Sequence, residues 1–199
     1  MSNIKSICVY CGSGFGDDPV FAENAAALGR AMAEQGIRLV YGGGNVGLMG
    51  TVAQATLDHG GYVTGIIPEF LKSREKLLDD VQETIVVSDM HTRKRLMFEK
   101  ADAFVALPGG IGTLEELVEQ MTWAQLGRHT KPILMLSTNG FWKPLLTLFA
   151  HMRDQGFIRP GLELNYLVAE RVEEVIPMLE ASARRIRLVG NEEMIEERF

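Results

Sequence analysis

The sequence predicts an α/β fold, an open parallel sheet with helices on both faces, and three observations predict it. Short apolar runs such as residues 6–10 and 103–107 lack period-two alternation, as strands covered on both sides do. They alternate with segments of helical periodicity. Glycine-rich turns stand at their carboxyl ends: Cys11-Gly12-Ser13-Gly14, Gly42-Gly43-Gly44-Asn45-Val46-Gly47 and Pro108-Gly109-Gly110-Ile111-Gly112. Right-handed crossovers collect such turns at one sheet edge, where ligands bind.

The elements follow in order. Residues 6–10 are the first strand, and Asp17 or Asp18 with Pro19 starts a helix in which Phe21, Ala25, Leu28 and Met32 share one face until Gln35-Gly36. A second strand over 38–41 enters the turn at Gly43 and Gly44, followed by a helix from about 48 to 57. The third strand, 62–67, closes at Pro68, and the charged stretch 69–80 is expected as an irregular lid or a short helix. A fourth strand, 84–87, leads through Ser88-Asp89-Met90 into a helix over 91–100 with Asp89 as N-cap. The fifth strand, 103–107, precedes the central glycine loop and its helix. A sixth strand over 133–136, a helix over 142–154 ending at Gly156, a short strand at 167–169 and a helix over 172–183 complete a single domain, residues 1–183. Residues 184–199 are mostly charged and are expected as a loosely held tail.

At 199 residues and 46% hydrophobic content the chain can bury one full core. A net charge of −6 argues against a nucleic-acid-binding surface, so a bound phosphate belongs to a small molecule. No apolar run has the length of a membrane span and the N-terminus lacks a signal peptide's apolar region, so a cytoplasmic protein without membrane contact is expected. Cys8 and Cys11 form a lone C-x-x-C; with Cys8 inside an apolar strand and no second ligand pair, two packed thiols are expected rather than a redox or zinc site.

The central loop carries the chemistry. Gly109, Gly110 and Gly112 expose consecutive main-chain N–H groups, and the helix behind them adds the positive end of its dipole, which makes an anion site. The competing reading is a capping box, with Thr113 at N-cap and Glu116 at N3. Capping needs no glycine cluster, which favours the anion site. The turns at Gly12 and Ser13, Gly43 and Gly44, Met90, and Gly109 and Gly110 are expected to converge on one pocket. Arg93, Lys94 and Arg95 occupy a first helical turn, the unfavourable end of the dipole for cations, so something compensates them. Either they reach water or acids such as Asp89 and Glu99, or at least one faces an anion shared with the loop. Glu116 is the candidate acid, with Glu115 and Glu119 as alternatives on a largely solvated face.

Pro108-Gly109-Gly110-x-Gly112-Thr113-x-x-Glu116, preceded by Met90-His91-x-Arg93-Lys94 and followed by Thr122-Trp123-Ala124-Gln125-Leu126-Gly127, resembles the LONELY GUY (LOG) family of cytokinin riboside 5'-monophosphate phosphoribohydrolases, long mislabelled lysine decarboxylases. The similarity runs from residue 7 to about 157. It implies a Rossmann-like fold, a homodimer with active sites near the subunit interface, and hydrolysis of purine nucleoside 5'-monophosphates, AMP included, to free base and ribose 5-phosphate. It makes Arg93 and Glu116 the catalytic pair, and Glu75, Arg93, Lys94, the loop Gly110, Ile111, Gly112, Thr113, Leu114, Glu115 and Glu116, and Thr122 the nucleotide contacts. Ile111 stands where plant members commonly carry tyrosine, which bears on base preference.

A carboxylate near the ribose suits glycosidic cleavage, because positive charge builds on the sugar, while a gripped phosphate aligns the reacting carbon. Arg93 either binds phosphate or steadies the departing base. No metal or cofactor is required. The alternative is a noncatalytic nucleotide or molybdenum-cofactor carrier, which needs the phosphate site but no placed acid. Pyridoxal phosphate chemistry lacks a marked Schiff-base lysine.

Overall fold

The computed structural model describes residues 4–72, 78, 80–159 and 161–196. Strands β1 (Ser6–Tyr10), β2 (Arg38–Tyr41), β3 (Val63–Pro68), β4 (Glu83–Val87), β5 (Ala103–Ala106), β6 (Ile133–Leu136) and β7 (Leu167–Ala169) form one parallel sheet in the order β4-β3-β2-β1-β5-β6-β7. Helices α1 (Val20–Glu34), α2 (Gly47–Asp58), α3 (Glu69–Lys72), α4 (Met90–Glu99), α5 (Ile111–Gln125), α6 (Lys143–Asp154) and α7 (Val172–Glu196) connect or follow them. This is the doubly wound, Rossmann-like architecture expected from the alternation of apolar runs and helical segments.

The alternation of side chains along each strand sorts the core into two layers. Ile7, Val9, Leu39, Tyr41, Val105 and Leu134 pack under α1, α2 and α7, whereas Cys8, Tyr10, Val40, Phe104, Ala106 and Met135 pack under α4, α5 and α6. Both thiols are free and buried, and burial raises the pKa of each. The strand at one edge departs from the continuous apolar pattern: in β4, Thr84 and Val86 are exposed while Glu83 and Ile85 are half-buried. With a neighbour on one side only, it has less to cover it. At the other end, α7 continues past Ala183, where the helix was expected to stop, as far as Glu196.

Strand order decides where the site lies. After β1 the chain winds outward through β2, β3 and β4, then returns through α4 to place β5 on the other side of β1. The β1–α1 and β5–α5 turns therefore leave toward opposite faces, which opens a crevice between them. The described part of the segment expected as lid or short helix begins as α3, while Glu75 lies outside the described residues. No described helix is long and apolar enough to cross a membrane.

Close packing of α1 on α2 depends on Gly29, where a methyl group would meet the Val52 carbonyl oxygen and the Thr56 hydroxyl. Alanine gains up to about 1 kcal/mol of helix propensity over glycine, but overpacking costs about 1–3 kcal/mol. Gly29→Ala is therefore expected to lower stability by roughly 1–2 kcal/mol in urea denaturation; an unchanged or raised midpoint would show that the helices part freely.

Candidate active site

Three turns meet at the carboxyl edge of the sheet. The Gly12 amide donates to the Pro108 carbonyl at 3.0 Å, and the Leu48 and Met49 amides donate to the Gly14 and Gly12 carbonyls, each at 3.3 Å. The β1–α1 turn is thus held between the β2–α2 and β5–α5 turns. A Cβ on Gly109 would collide with the Thr113 side chain and the Gly12 amide, and one on Gly47, at φ +64°, with the backbone of Ser13 and Gly14. By contrast, a Cβ on Gly14, Gly110 or Gly112 meets nothing within 4 Å. The same turns are closed where they touch each other and open toward the cleft.

Helix α5 starts earlier than a Thr113 cap requires. Its N-cap is Gly110, no side chain caps it, and its first bond runs from the Leu114 N–H to the Gly110 carbonyl at 3.0 Å. Thr113 is therefore already inside the first turn, buried against Gly109, so the Thr113–Glu116 capping box does not form. Glycines let the chain enter the helix without a side-chain cap. The Ile111, Gly112 and Thr113 amides have no helical acceptor, at the positive end of the dipole and beside exposed Gly110, Ile111 and Gly112.

Arg93 points inward from α4. Its Nε donates to the Ile66 carbonyl at 3.1 Å and its Nη2 to the Gly42 carbonyl at 3.2 Å, while Nη1 lies 3.4 Å from Glu116 Oε1 and 4.0 Å from Met90 Sδ. The residue is buried, and the Glu116 side chain keeps 12% of its surface exposed. Burial pushes the Glu116 carboxyl up to about 7, against the pull of Arg93; Glu115 raises it further, Lys94 lowers it and Glu119 raises it. Burial outweighs the ion pair because a single 3.4 Å contact joins the two groups and two of Arg93's nitrogens are committed to carbonyls. At neutral pH this carboxyl is poised between its two forms.

Lys94 faces the same gap from α4 but binds acids. Its Nζ lies 2.6 Å from Glu115 Oε1 and 2.9 Å from Glu119 Oε1. Of the acids expected beside the basic cluster, Glu99 does lie 3.9 Å from Arg95, whereas Asp89 caps α4 by accepting the Thr92 N–H at 2.9 Å. That bond first, then the Ser88 hydroxyl, holds the Asp89 carboxyl well below its usual range. Glu119 is not part of a solvated face: its Oε2 is buried without a partner among the described residues.

The family model described as "Possible lysine decarboxylase" matches residues 49–179. The cytokinin riboside 5'-monophosphate phosphoribohydrolase LOG7 of Arabidopsis thaliana is 48% identical over 179 residues, 90% of this chain and 82% of that protein. The protein of the same function name from Rhodococcoides fascians is 46% identical over 173 residues, 86% of this chain and 87% of its own. The chain belongs to the LOG family. Among solved structures, a molybdenum cofactor binding protein from Rippkaea orientalis superposes with a TM-score of 0.65 at 25% identity, covering 88% of this chain and 95% of that one. That likeness is one of fold.

In this LOG-family chain the structure brings Gly12, Ser13, Gly109 and Thr113 together where the turns meet, with Gly110 and Gly112 beside them at the start of α5, and brings Met90, Arg93 and Glu116 together between α4 and α5, while Gly43 packs against β3. Half-buried Leu114 and exposed Ile111 border an apolar cleft of about 350 Å³ between α5 and α6. Thr122 is not brought in: it is exposed, donates to the Val118 carbonyl at 2.8 Å, and lies six residues beyond Glu116. That spacing is about 9 Å along the helix and about 120° round it from Glu116. Sequence reasoning missed Gln120, one turn after Glu116, whose amide is buried with neither polar atom partnered among the described residues. Helical spacing marks it as a neighbour of Glu116, but nothing in spacing reveals its burial. Among the described residues no histidine, cysteine and acid cluster forms a metal site.

Because the folded protein holds the Glu116 proton more tightly than an unfolded chain does, this group's stabilising contribution is complete below about 4.5 and is lost as pH rises through about 7. Carbon-13 NMR of the unliganded protein is expected to show a carboxyl titrating near pH 7 that disappears in Glu116→Gln; a Glu116 signal that titrates in the ordinary carboxylate range would mean that Arg93 dominates after all.

Proposed function

We propose that this protein hydrolyses the N-glycosidic bond of purine and cytokinin riboside 5'-monophosphates, AMP included, releasing free base and D-ribose 5-phosphate. One observation carries the reading: the buried Glu116 carboxyl, poised near neutrality, lies on the same helix as the uncapped glycine start. The relatives LOG7 and the Rhodococcoides fascians protein bear the name of that activity.

The geometry supports the following roles. The amides of Ile111, Gly112 and Thr113 grip the 5'-phosphate, and Gly12, Ser13, Gly43, Gly44 and Met90 wall the crevice in which the nucleoside lies. The C1'–N9 bond breaks with its electron pair going to the base, leaving positive charge on the ribose. Ionised Glu116 stabilises that charge and takes a proton from the water whose oxygen bonds to C1'; passing that proton on to the base anion, directly or through solvent, completes the free base and returns Glu116 to its ionised form. Arg93, held by the Ile66 and Gly42 carbonyls, orients Glu116. Phosphate binding one turn from the reacting carbon turns remote affinity into alignment. A carrier of nucleotide or molybdenum cofactor has no use for a buried acid poised in this way.

The exposed apolar residues Ile111 and Val118 lie on α5 with Thr122, and exposed Leu126 caps its end. We assign this helix to the surface of a homodimer, in which Thr122 reaches the nucleotide of a neighbouring copy. The setting consistent with the substrate is cytoplasmic.

Chromatography after incubation with AMP and with N6-isoprenylated AMP is expected to show base and ribose 5-phosphate, with adenosine uncleaved; equal turnover of adenosine would remove the phosphate grip from the mechanism. Glu116→Gln should lower kcat about a hundredfold or more at an unchanged fold, checked by thermal melts. Gly112→Val meets open space in the unliganded protein, so its melting temperature should hold while KM for AMP rises about tenfold. An unaltered KM would place the phosphate elsewhere.

A further inference from the structure

Two of the turns at the carboxyl edge of the sheet each carry an apolar side chain that the core does not take in. Phe15 and Val46 are each 55% exposed. They stand together: the Met49 amide donates to the Gly12 carbonyl and the Leu48 amide to the Gly14 carbonyl, so the two turns pass each other in opposite senses and Phe15 comes beside Gly47 and Val46. Gly47 lies against the backbone of Ser13 and Gly14, which keeps the turns in close contact. Val46 is the N-cap of α2, yet the amides that a capping side chain would take are already bound by those two carbonyls, so position 46 is free of that duty. Phe15 sits between Gly14, where a Cβ meets open space, and Gly16, at φ +73° against Phe21. One exposed apolar residue is ordinary, but two side by side at the ligand edge of a doubly wound sheet make a surface.

We propose that Phe15 and Val46 form the platform on which the purine base of the bound monophosphate lies, with Phe15 stacked on its face. The proposal rests on the assigned reaction and adds the residues that grip the base. Each turn leads from the reacting groups to the platform. The first touches the phosphate loop at Gly12, whose amide donates to the Pro108 carbonyl, and reaches Phe15 three residues on, within about 10 Å. The second gives its Gly42 carbonyl to Arg93, the partner of Glu116, and runs on to Val46. Charge sets the direction of the nucleotide between them. The uncapped amides of α5 and the Arg93 guanidinium stand at one end, while Asp17 and Asp18 follow Phe15 at the other. A phosphate is drawn to the first end and repelled from the second, where a neutral base is accommodated. Every purine offers an apolar face to an aromatic ring, so the platform holds adenine and N6-isoprenylated adenine alike.

Phe15→Ala, Phe15→Trp and Val46→Ser test this beside the parent protein. KM for AMP is measured in each, and calorimetry in the Glu116→Gln background gives Kd for AMP and for ribose 5-phosphate, which has no base. Phe15→Ala is expected to weaken AMP about tenfold and Val46→Ser about threefold, while Phe15→Trp holds AMP at least as tightly as the parent. Ribose 5-phosphate binds all four proteins within about twofold of one another, because its grip lies at the other end. Melting temperatures hold, since both side chains are more than half exposed. An AMP affinity unmoved by Phe15→Ala overturns the proposal, and so does an equal loss for ribose 5-phosphate, the signature of a turn that has shifted as a whole. Should Phe15→Ala fold poorly, Val46→Ser decides by the same comparison of AMP with ribose 5-phosphate. If the parent binds AMP but cleaves no monophosphate, the assigned reaction falls and the two Kd values still judge the platform; if it binds no AMP, both fall.

Discussion

The contact between Arg93 Nη1 and Glu116 Oε1, 3.4 Å across the gap between α4 and α5, is the interaction on which the site depends. Its incompleteness matters as much as its presence. A carboxylate gripped by a full guanidinium fork would be ionised and inert, and one buried alone would keep its proton through neutral pH. Arg93 spends Nε and Nη2 on the Ile66 and Gly42 carbonyls, so Glu116 receives enough positive potential to titrate near neutrality but not enough to lose its basicity. The Ile66 carbonyl lies within β3 and the Gly42 carbonyl just past the end of β2, which ties the acid's behaviour to the sheet itself.

Glycine serves two opposite purposes in the surrounding turns. Gly109 and Gly47 lack side chains because neighbouring backbone occupies the space, and their closeness locks the three turns into one wall. Gly110 and Gly112 lack side chains toward empty cleft, where the advantage of a bare backbone is access to the amides rather than packing. The same residue type in one loop thus builds the floor of the site and leaves its mouth open.

The cations at the start of α4 illustrate how a local penalty is absorbed by tertiary structure. Arg93 and Lys94 stand near the positive end of their helix dipole, an unfavourable place in isolation. Asp89 offsets it from the same turn by capping the helix, and the carboxylates of α5 offset it from across the gap. Helix α5 in turn gains counter-ions for acids that would repel one another at adjacent positions. Each helix is electrostatically incomplete without the other, which holds the Glu116 carboxyl in register with the loop that starts its own helix.

Much of this was determined by the sequence alone. Apolar runs without alternation, helical periodicity and glycine turns specify a parallel doubly wound sheet because backbone geometry converts those patterns into buried strands and covering helices. The loop 108–113 and the candidates Arg93 and Glu116 were legible for the same local reason. What local pattern cannot encode is which side chains meet across the sheet edge. The start of α5 at Gly110 rather than Thr113, the binding of Lys94 by Glu115 and Glu119, the burial of Gln120 and the displacement of Thr122 to an outer face were all decided by strand order and helix docking. Those arise when β5 returns beside β1 and brings α5 against α4, since distance, burial and therefore ionisation are properties of the packed chain and not of any stretch of it.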